Sequence, residues 1–276
     1  MTLASGRTFY KMSGSGNDFI MVDAMHEGPG ALANADVIQR LCARATGVGA
    51  DGIVFLEPSE VADFRMTYLN SDGSRAALCG NASLCSARLA SELGIVQARE
   101  FRIETEAGVL GARLVGGVAE VDLPPVADVR PRLPFRLETG EEWIGFAQAG
   151  VPHLTVRVVD VQAVDVVGRG RPLRHEPSLA AGANVNFVSS DGDGGWDIRT
   201  YERGVEGETL ACGTGSVATA ILLADAGEAA ESVRLRTRSG LTHVVRVTRS
   251  SGAWLPSLSG ETRLVFEGRI GEVDGL

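Results

Sequence analysis

The 276-residue sequence predicts an α+β protein of two pseudo-symmetric, duplicated domains, each a largely antiparallel sheet or open barrel around a central helix. Three observations lead to this prediction. The length suits two domains, since most single domains have roughly 100–150 residues. The two halves of the sequence repeat each other. Each half also combines short strand-like runs and tight turns with a long helix, a pattern typical of α+β folds.

The repeat appears when the sequence is shifted by 133 residues, which places Cys79-Gly80 on Cys212-Gly213. In the same register Thr67-Tyr68 falls on Thr200-Tyr201, so the distance from tyrosine to cysteine is the same in both halves. Chance matches of common glycines and alanines do not preserve such a spacing. We therefore interpret the repeat as a tandem duplication that produced two similar domains.

The boundary between the domains is predicted in the segment from Pro124-Pro125 to Pro134, which is rich in proline and lacks hydrophobic periodicity. The predicted domains are residues 1–128 and residues 129–263. Residues 264–276 remain as a candidate strand that packs back onto the first domain.

The first half predicts two helices between strands. Asn34 is a suitable N-cap for a helix that runs to Arg44. A longer helix begins just after Cys79 and runs to about Glu92, and Gly94 is placed to end it. Apolar and β-branched runs between turn residues predict strands at residues 8–12, 19–23, 53–56, 64–69, 101–106, 109–115 and 118–123.

The second half predicts a helix from about Gly213 to Asp225. Its strands are predicted near residues 154–159, 185–189, 197–201, 233–238, 243–248 and 263–266. Short turns join many of the neighbouring strands, as at Gly116-Gly117 in the first half. The sheets should therefore be largely antiparallel, each packed against few helices.

The composition narrows the possible partners and locations. A net charge of −9 without a Lys/Arg cluster gives no electrostatic footprint for a phosphate backbone, so we expect no nucleic-acid partner. Met1 to Tyr10 does not read as a secretion signal, and no apolar run approaches membrane-spanning length. We expect a cytoplasmic protein without membrane contact. The four cysteines have no CxxC spacing, which predicts reduced thiols and no metal site.

A single lysine, Lys11, stands among the 26 basic residues. Enzymes that use pyridoxal phosphate hold it on a lysine as a Schiff base. In this sequence Lys11 is the single residue that could form such a Schiff base. We interpret Lys11 as a charge at the surface or at a pocket rim. The sequence therefore predicts chemistry without a cofactor.

The duplication places one cysteine at the same point of each half, directly before a glycine and the first turn of a helix. Cys79 precedes Gly80, and Cys212 precedes Gly213. The unpaired amides and the positive dipole end of a helix stabilise a thiolate. Small residues at a helix start also let a ligand carboxylate approach these amides.

If the two domains face each other across a cleft, the cysteines confront each other there and the cleft is the active site. One thiolate could remove a proton from a carbon while the other thiol delivers a proton to its opposite face. The helix amides would stabilise the developing enolate charge. The residues thus favour cofactor-independent racemisation or epimerisation of an amino acid, which is a small-molecule substrate.

Two other interpretations of Cys79 and Cys212 stay open at this point. Each could be a buried small hydrophobic residue, as unpaired cysteines often are. The pair could also form a regulatory disulfide in a non-catalytic thiol switch. Cys42 and Cys85 have no counterpart in the other half and are predicted to be core residues.

Several motifs occur in a fixed order over essentially the whole chain. They are Lys11-Met12 before Gly16-Asn17-Asp18-Phe19, Gly47-Val48-Gly49-Ala50-Asp51, Asn70-Ser71-Asp72-Gly73, Cys79-Gly80-Asn81, Gly150 with Pro152-His153, Ala183-Asn184, Tyr201-Glu202-Arg203-Gly204 and Ala211-Cys212-Gly213-Thr214-Gly215. In this order the sequence resembles the diaminopimelate epimerases, which interconvert the LL and meso forms of 2,6-diaminopimelate without pyridoxal phosphate.

The resemblance implies roles for individual residues. It implies that Cys79 and Cys212 are the paired acid and base, and that His153 and Glu202 support the chemistry. The residues implied to bind the reacting carboxylate are Gly80, Asn81, Gly213 and Thr214. The residues implied to hold the distal amino-acid head are Asn17, Asn70, Asn184, Glu202 and Arg203. A homodimer is implied as well.

The chemistry of Glu202 and Arg203 fits a zwitterionic head group, because a guanidinium holds a carboxylate and a carboxylate pairs with an ammonium. Adjacent residues on a strand point to opposite faces, so at most one of them reaches the pocket unless the strand bends. Without the resemblance, the same two residues would read as a solvated pair at a strand end.

Three positions depart from the family pattern. Val151 stands where many members have asparagine, Gly52 where some have glutamine, and Leu84 where arginine is often found. These changes bear on recognition of the distal head and leave the two-thiol chemistry intact. The alternative is therefore a related two-cysteine racemase of proline, hydroxyproline or histidine.

Overall fold

A computed structural model describes residues 6–271 of the chain. The chain divides into two compact units. The first unit comprises Met1–Val121 and Gly260–Leu276, and the second unit comprises Asp122–Ser259. Residues 272–276 of the predicted C-terminal strand lie outside the described residues. No helix between residues 6 and 271 is long and apolar enough to cross a membrane.

The elements follow each other in an order that confirms the predicted α+β class. In chain order they are β1 Thr8–Gly14, β2 Asn17–Asp23, α1 Ala35–Cys42, β3 Gly52–Glu57, β4 Phe64–Asn70, α2 Gly80–Glu92, β5 Glu100–Thr105, β6 Gly108–Val115, β7 Val118–Asp122, β8 Val129–Arg130, β9 Glu141–Ala149, β10 Val151–Val158, α3 Val166–Arg174, β11 Asn184–Ser190, β12 Trp196–Glu202, β13 Gly207–Thr209, α4 Gly213–Asp225, β14 Ser232–Arg236, β15 Thr242–Ser250, β16 Ala253–Gly260 and β17 Thr262–Arg269.

The sheet of the first unit is mostly antiparallel and surrounds α2. β1 pairs antiparallel with β2 and with β17, where Thr8 lies opposite Arg269. β3–β4, β5–β6 and β6–β7 are also antiparallel, whereas β2–β3 and β4–β5 are parallel. α2 lies against β1, β2, β3, β4, β6 and β17, and most of its residues are buried. A helix buried on nearly all sides is the central element of such a unit.

The short helix α1 covers part of the same sheet. Asn34 is its N-cap, as predicted, and accepts a hydrogen bond from the Asp36 amide at 2.9 Å. Val37 and Ile38 are buried in a cluster that includes Phe55 of β3. α1 ends at Cys42 rather than at Arg44, because the chain turns back and the amide of Ala50 donates to the carbonyl of Cys42.

The second unit has a comparable arrangement around α4. β8–β9, β9–β10, β11–β12, β12–β13 and β14–β15 are antiparallel, whereas β10–β11 and β12–β14 are parallel. α4 lies against β9, β10, β11 and β15. It runs from Gly213 to Asp225, the bounds predicted from the sequence, because Cys212 before it and Gly227 after it suit the two helix ends.

Several elements of the second unit were not predicted. They are α3 and the strands β8, β9, β13 and β16. α3 contains Gly168, Gly170 and Pro172, which are poor helix formers. Gly170 is required by packing, since a Cβ there would lie 2.6 Å from the Cβ of Tyr201. Gly145 interrupts the sequence pattern that would have predicted β9. Glycine is needed at this position, since a Cβ there would lie 2.9 Å from a methyl group of Leu222.

The prediction that Lys11 is a surface or rim charge was wrong. Lys11 is 7% exposed, and its Nζ donates to Asp18 Oδ2 at 2.6 Å and to the carbonyl of Gly49. A buried ammonium needs such partners, because an unpaired charge in the interior is costly. Lys11 thus fixes the loop before β3 to β1.

Candidate active site

Both units present a cysteine at the start of a long helix. Cys79 is the N-cap of α2 with φ −135° and ψ 113°, and Cys212 is the N-cap of α4 with φ −138° and ψ 109°. The carbonyl of Cys79 accepts from the amide of Ser83 at 2.9 Å, and the carbonyl of Cys212 accepts from the amide of Ser216 at 3.0 Å. The same local geometry is therefore built twice.

The helix starts suit a bound carboxylate. Gly80 and Gly213 are the first residues of their helices, and both are buried. The amides of a first helical turn have no acceptor within the helix, and the dipole gives that end a partial positive charge. Without a side chain at these two positions, an anion can approach the amides closely.

In the first unit, Asn81 and Asn17 are brought together. Asn81 is 1% exposed, and its Nδ2 donates to Asn17 Oδ1 at 2.7 Å. Asn17 Nδ2 in turn donates to Asp51 Oδ2 at 2.9 Å. The Oδ1 atom of Asn81 has no hydrogen-bond partner among residues 6–271. Because a buried polar atom without a partner is unfavourable, Asn81 Oδ1 is available to accept a hydrogen bond from a ligand.

Asn70 lies in a turn rather than in the Asn17–Asn81 pair. It ends β4, and its Nδ2 donates to Ser74 Oγ at 3.0 Å. The turn is tied to the Asn17 region by its next residue, since the amide of Ser71 donates to the carbonyl of Asp51 at 3.0 Å.

Gly52 stands opposite Asn70 on the neighbouring strand, and its lack of a side chain has a packing reason. A Cβ at Gly52 would lie 2.6 Å from the ring of Tyr68 and in contact with the Leu69 carbonyl. The space that a side chain at position 52 would need is therefore filled by Tyr68. At this departure from the family pattern, the ring of Tyr68 occupies the space next to Gly52.

In the second unit, His153 and Thr214 are brought together with Cys212. His153 Nε2 lies 3.0 Å from Thr214 Oγ1, and Thr214 Oγ1 lies 3.6 Å from Cys212 Sγ. His153 is fully buried on β10, while Thr214 is half-buried in the first turn of α4. A histidine side chain thus reaches the cysteine of its own unit through one hydroxyl group.

Asn184 and Arg203 form a second group in this unit. Asn184 Oδ1 accepts from the backbone amide of Arg203 at 2.7 Å, and Arg203 Nη1 donates to the carbonyl of Ala181 at 2.9 Å. Asn184 also lies opposite His153 in the parallel pairing of β10 and β11. β12 ends at Glu202, so Arg203 lies in the following turn and the rule of alternating faces does not apply to it.

Burial sets the protonation of several groups. Burial, together with the smaller effect of the charge of Arg203, lowers the pKa of His153 to about 3, so the imidazole is neutral at physiological pH. Burial raises the pKa of Cys42 to about 11 and also raises the pKa of Cys85, which has no exposed surface. Cys42 and Cys85 are therefore protonated core residues, and this prediction is confirmed.

Three polar residues of these networks had no role in the sequence interpretation. Asp51 holds Asn17, Asn186 Nδ2 lies 3.3 Å from His153 Nδ1, and Thr200 Oγ1 donates to Asn186 Oδ1 at 2.9 Å. A signal for Asn186 was present, since Asn184 and Asn186 alternate on one face of a strand whose other residues are mostly apolar.

Solved structures share this fold at low sequence identity. A PhzF-family phenazine biosynthesis protein of Bacillus anthracis matches with a TM-score of 0.72 and 18% identity, covering 96% of this chain and 98% of that chain. A hydroxyproline epimerase of Agrobacterium vitis matches with a TM-score of 0.70 and 19% identity, covering 96% and 92%. At such identities the likeness establishes the fold alone.

Sequence relatives are much more similar. A diaminopimelate epimerase of Gemmatimonas aurantiaca is 46% identical over 274 residues, which are 95% of this chain and 99% of that protein. A diaminopimelate epimerase of Aquifex aeolicus is 40% identical over 96% of this chain and 98% of its own length. The family model described as diaminopimelate epimerase matches residues 9–120 and 145–253. The chain therefore belongs to the diaminopimelate epimerase family, whose members are amino-acid isomerases.

Proposed function

We propose that this protein epimerises LL-2,6-diaminopimelate to meso-diaminopimelate by a two-base reaction at Cys79 and Cys212, as a step in the synthesis of lysine and peptidoglycan precursors. The observation that carries the proposal is the closely matching N-cap geometry of the two cysteines on α2 and α4. Family membership supports the substrate, because the similar proteins of Gemmatimonas aurantiaca and Aquifex aeolicus are diaminopimelate epimerases.

The proposed reaction begins with one cysteine as thiolate and the other as thiol. The thiolate takes the α-proton of the substrate, and the electron pair of the broken C–H bond moves into the carboxylate as an enolate. The thiol then delivers its proton to the opposite face of the same carbon. The stereocentre is inverted, and the two sulfurs have exchanged their protonation states, so atoms and charge balance without a co-reactant.

Stabilisation of the enolate is the demanding part of this reaction. The first-turn amides that begin at Gly80 and Gly213 supply donors whose direction is fixed before the reaction starts. Preorganised donors of this kind are often the largest single contribution to catalysis of such steps. The same amides favour a cysteine thiolate at the N-cap.

Binding of the substrate is supported by polar groups in each unit. The unpartnered Oδ1 of Asn81 can accept from an ammonium group, and the guanidinium of Arg203 can hold a carboxylate. A substrate with only one charged head would give the partly exposed guanidinium of Arg203 no second carboxylate to hold. The set therefore favours a substrate with two zwitterionic ends over proline or hydroxyproline.

The test is proton exchange in deuterated water. LL-diaminopimelate should gain deuterium at an α-carbon and yield the meso form, whereas lysine, proline and histidine should not be converted. Cys79→Ala and Cys212→Ala should each lose epimerisation by about a thousandfold or more, as expected for removal of an acid or base. Cys42→Ala is the matched control, because its thiol is buried in the apolar cluster around Val37 and Ile38, and it should stay active. Full activity of either helix-start variant would disprove the two-base reaction.

A further inference from the structure

A continuous set of hydrogen bonds in the second unit leads from β12 to Cys212. Thr200 Oγ1 donates to Asn186 Oδ1 at 2.9 Å, and Asn186 Nδ2 lies 3.3 Å from His153 Nδ1. His153 Nε2 lies 3.0 Å from Thr214 Oγ1, which lies 3.6 Å from Cys212 Sγ. All of these residues except Thr214 are buried, so water competes little for the inner bonds.

The orientation of the Asn186 amide is fixed by two neighbours. Its Nδ2 donates to the carbonyl of Leu154 at 2.9 Å, and a carbonyl can only accept. Its Oδ1 accepts from Thr200 at 2.9 Å. Gly215 leaves the room for this arrangement, since a Cβ there would collide with Asn186 Oδ1. Asn186 therefore presents an N–H group, and not an oxygen, to the imidazole of His153.

This orientation decides the tautomer of His153. Because Asn186 donates to Nδ1, that nitrogen must be the bare acceptor, and the single proton of the neutral ring is on Nε2. The burial that lowers the pKa of His153 to about 3 keeps the ring neutral at neutral pH. Nε2–H then donates to Thr214 Oγ1, so the hydroxyl hydrogen of Thr214 is free to point at Cys212 Sγ.

We propose that Asn186 is a positioning residue of the reaction: it holds His153 as the Nε2-protonated tautomer, which makes Thr214 donate its hydroxyl hydrogen to Cys212 Sγ and favours the thiolate of that cysteine. A hydrogen bond to the charged form of an acid stabilises that form. His153 and Asn186 act through Thr214 and exchange no proton with the substrate. The importance for catalysis rests on the proposed function above, but the tautomer and the thiolate can be measured without substrate.

Two variants of Asn186 separate this role from simple packing. Asn186→Leu removes the donor to His153 Nδ1. Asn186→Asp keeps the shape of the side chain but places an oxygen opposite His153 Nδ1, so the ring proton moves to Nδ1. The Thr214 hydroxyl then donates to His153 Nε2 and no longer to Cys212 Sγ. Asn186→Asp should take the Thr214 donor away from Cys212, and Asn186→Leu should weaken it because nothing then fixes the tautomer. Alkylation of Cys212 by iodoacetamide at neutral pH should slow about tenfold in Asn186→Asp, as for the loss of one hydrogen bond to a charged group, and by a smaller factor in Asn186→Leu. Cys79 alkylation, followed by mass spectrometry of the same samples, should not change.

Thr155→Val is the matched control. Thr155 Oγ1 lies 3.1 Å from Thr219 Oγ1, a buried hydrogen bond between β10 and α4 that does not lead to Cys212. This variant should cost similar stability and leave Cys212 alkylation unchanged. Equal slowing in Thr155→Val and Asn186→Leu would attribute the effect to packing and overturn the proposal.

The tautomer is read directly from the 15N chemical shifts of the His153 ring in the full-length protein. The wild type should show a bare Nδ1 and a protonated Nε2, and Asn186→Asp should reverse this pattern. A wild-type ring protonated at Nδ1 would overturn the proposal even if every variant failed to fold. Neither the 15N shifts nor the alkylation rates need substrate. Failure of the proposal for Asn186 can therefore be told apart from failure of the proposed function, which the activity of Cys212→Ala decides.

Discussion

The two units build their cysteine caps with the same backbone but surround them with different chemistry. In the first unit Phe19 lies opposite Gly52, and in the second His153 lies opposite Asn184, at the same point of the strand pairing. Two residues further along β3, Val54 lies opposite Tyr68. The first unit is thus apolar at the positions where the second begins its hydrogen-bond network.

Two residues further along β11 in the second unit, Asn186 lies opposite Thr200, which aligns with Thr67 in the repeat. Phe19 and Tyr68 meet edge to face, with ring centroids 5.8 Å apart, whereas His153, Asn186 and Thr200 are joined by hydrogen bonds. Duplication therefore preserved the helix start that places the thiol, while the side chains behind it diverged. We conclude that the two helix starts share their backbone geometry, whereas the strands of the two units carry different side chains.

Acid should destabilise the second unit before the first, and this is the largest effect we expect. Burial lowers the pKa of His153 to about 3 and that of His243 to about 4, and both lie in the second unit. An unfolded histidine has a pKa of about 6.5. The unfolded chain therefore binds more protons below pH 6.5, and each histidine removes about 1.4 kcal/mol of stability per pH unit down to its folded pKa.

The described residues of the first unit include no buried histidine, since His26 is exposed. Its carboxylates act at lower pH. Burial raises the pKa of Asp18. The hydrogen bonds from Arg44 and Lys11 lower it by more, so the resulting pKa is below the usual 3.8. That stabilisation is present above about pH 4 and is lost as the pH falls through the lowered value.

Hydrogen exchange measured at several pH values checks this order. Amides of the second unit should lose protection between pH 6.5 and 4, while those of the first unit should hold until below pH 4. Replacing His243 by leucine should remove part of the loss, because it removes a buried group that binds a proton on unfolding. It also leaves Ser216 Oγ without its partner, since His243 Nδ1 lies 2.8 Å from it, so the variant starts from a lower stability at neutral pH. Equal loss in both units at one pH would refute the predicted difference.

The helix starts and ends in both units could be predicted from the sequence, because residues close by along the chain determine them. The cap at Asn34, the end of α2 near Gly94 and the two helix starts at Cys79 and Cys212 all depend on residues within one turn. α3 could not be predicted, because contacts with a distant strand override its poor helix formers. The sequence marked Asn186 as a polar residue on a mostly apolar strand, but its contact with His153 could not be predicted because it depends on the register of neighbouring strands.

A glycine in α4 and an alanine in α2 occupy equivalent positions. Exchanging them tests the difference between the two helix starts, with a smaller expected effect on stability. Gly215 lies in the first turn of α4, and Ala82 lies at the corresponding position of α2. Alanine normally stabilises a helix relative to glycine by about 1 kcal/mol. Gly215→Ala should instead destabilise by about 1–3 kcal/mol, because its Cβ collides with Asn186 Oδ1 and the pocket must shift.

The matched variant is Ala82→Gly, which should also destabilise, by about 1 kcal/mol, for the ordinary reason of helix propensity. Urea unfolding of both variants measures the two costs. The added methyl group should also slow alkylation of Cys212 in Gly215→Ala, since Asn186 is displaced. A stabilised Gly215→Ala variant would mean that the second helix start is no more constrained than the first.

The smallest effect is expected from Asp51, which orders the first unit as Asn186 orders the second. Its Oδ2 accepts from Asn17 Nδ2 at 2.9 Å, and its Oδ1 accepts from Arg44 at 2.6 Å. Asp51→Ala leaves Asn17 without this acceptor and frees its amide to rotate away from Asn81. Since a typical hydrogen bond contributes about 1 kcal/mol, KM for diaminopimelate should rise roughly fivefold while kcat stays within about twofold.

Steady-state kinetics of Asp51→Ala beside Asp128→Ala separates positioning from surface charge. Asp128 is also paired with an arginine, Arg130 at 2.7 Å, but that pair is exposed and should contribute little. Unchanged kinetics for Asp128→Ala and a raised KM for Asp51→Ala would show that the first unit orients its asparagines through a charged network. A fall in kcat at constant KM would instead place Asp51 in the chemical step, and the first unit would then resemble the second more closely than its side chains indicate.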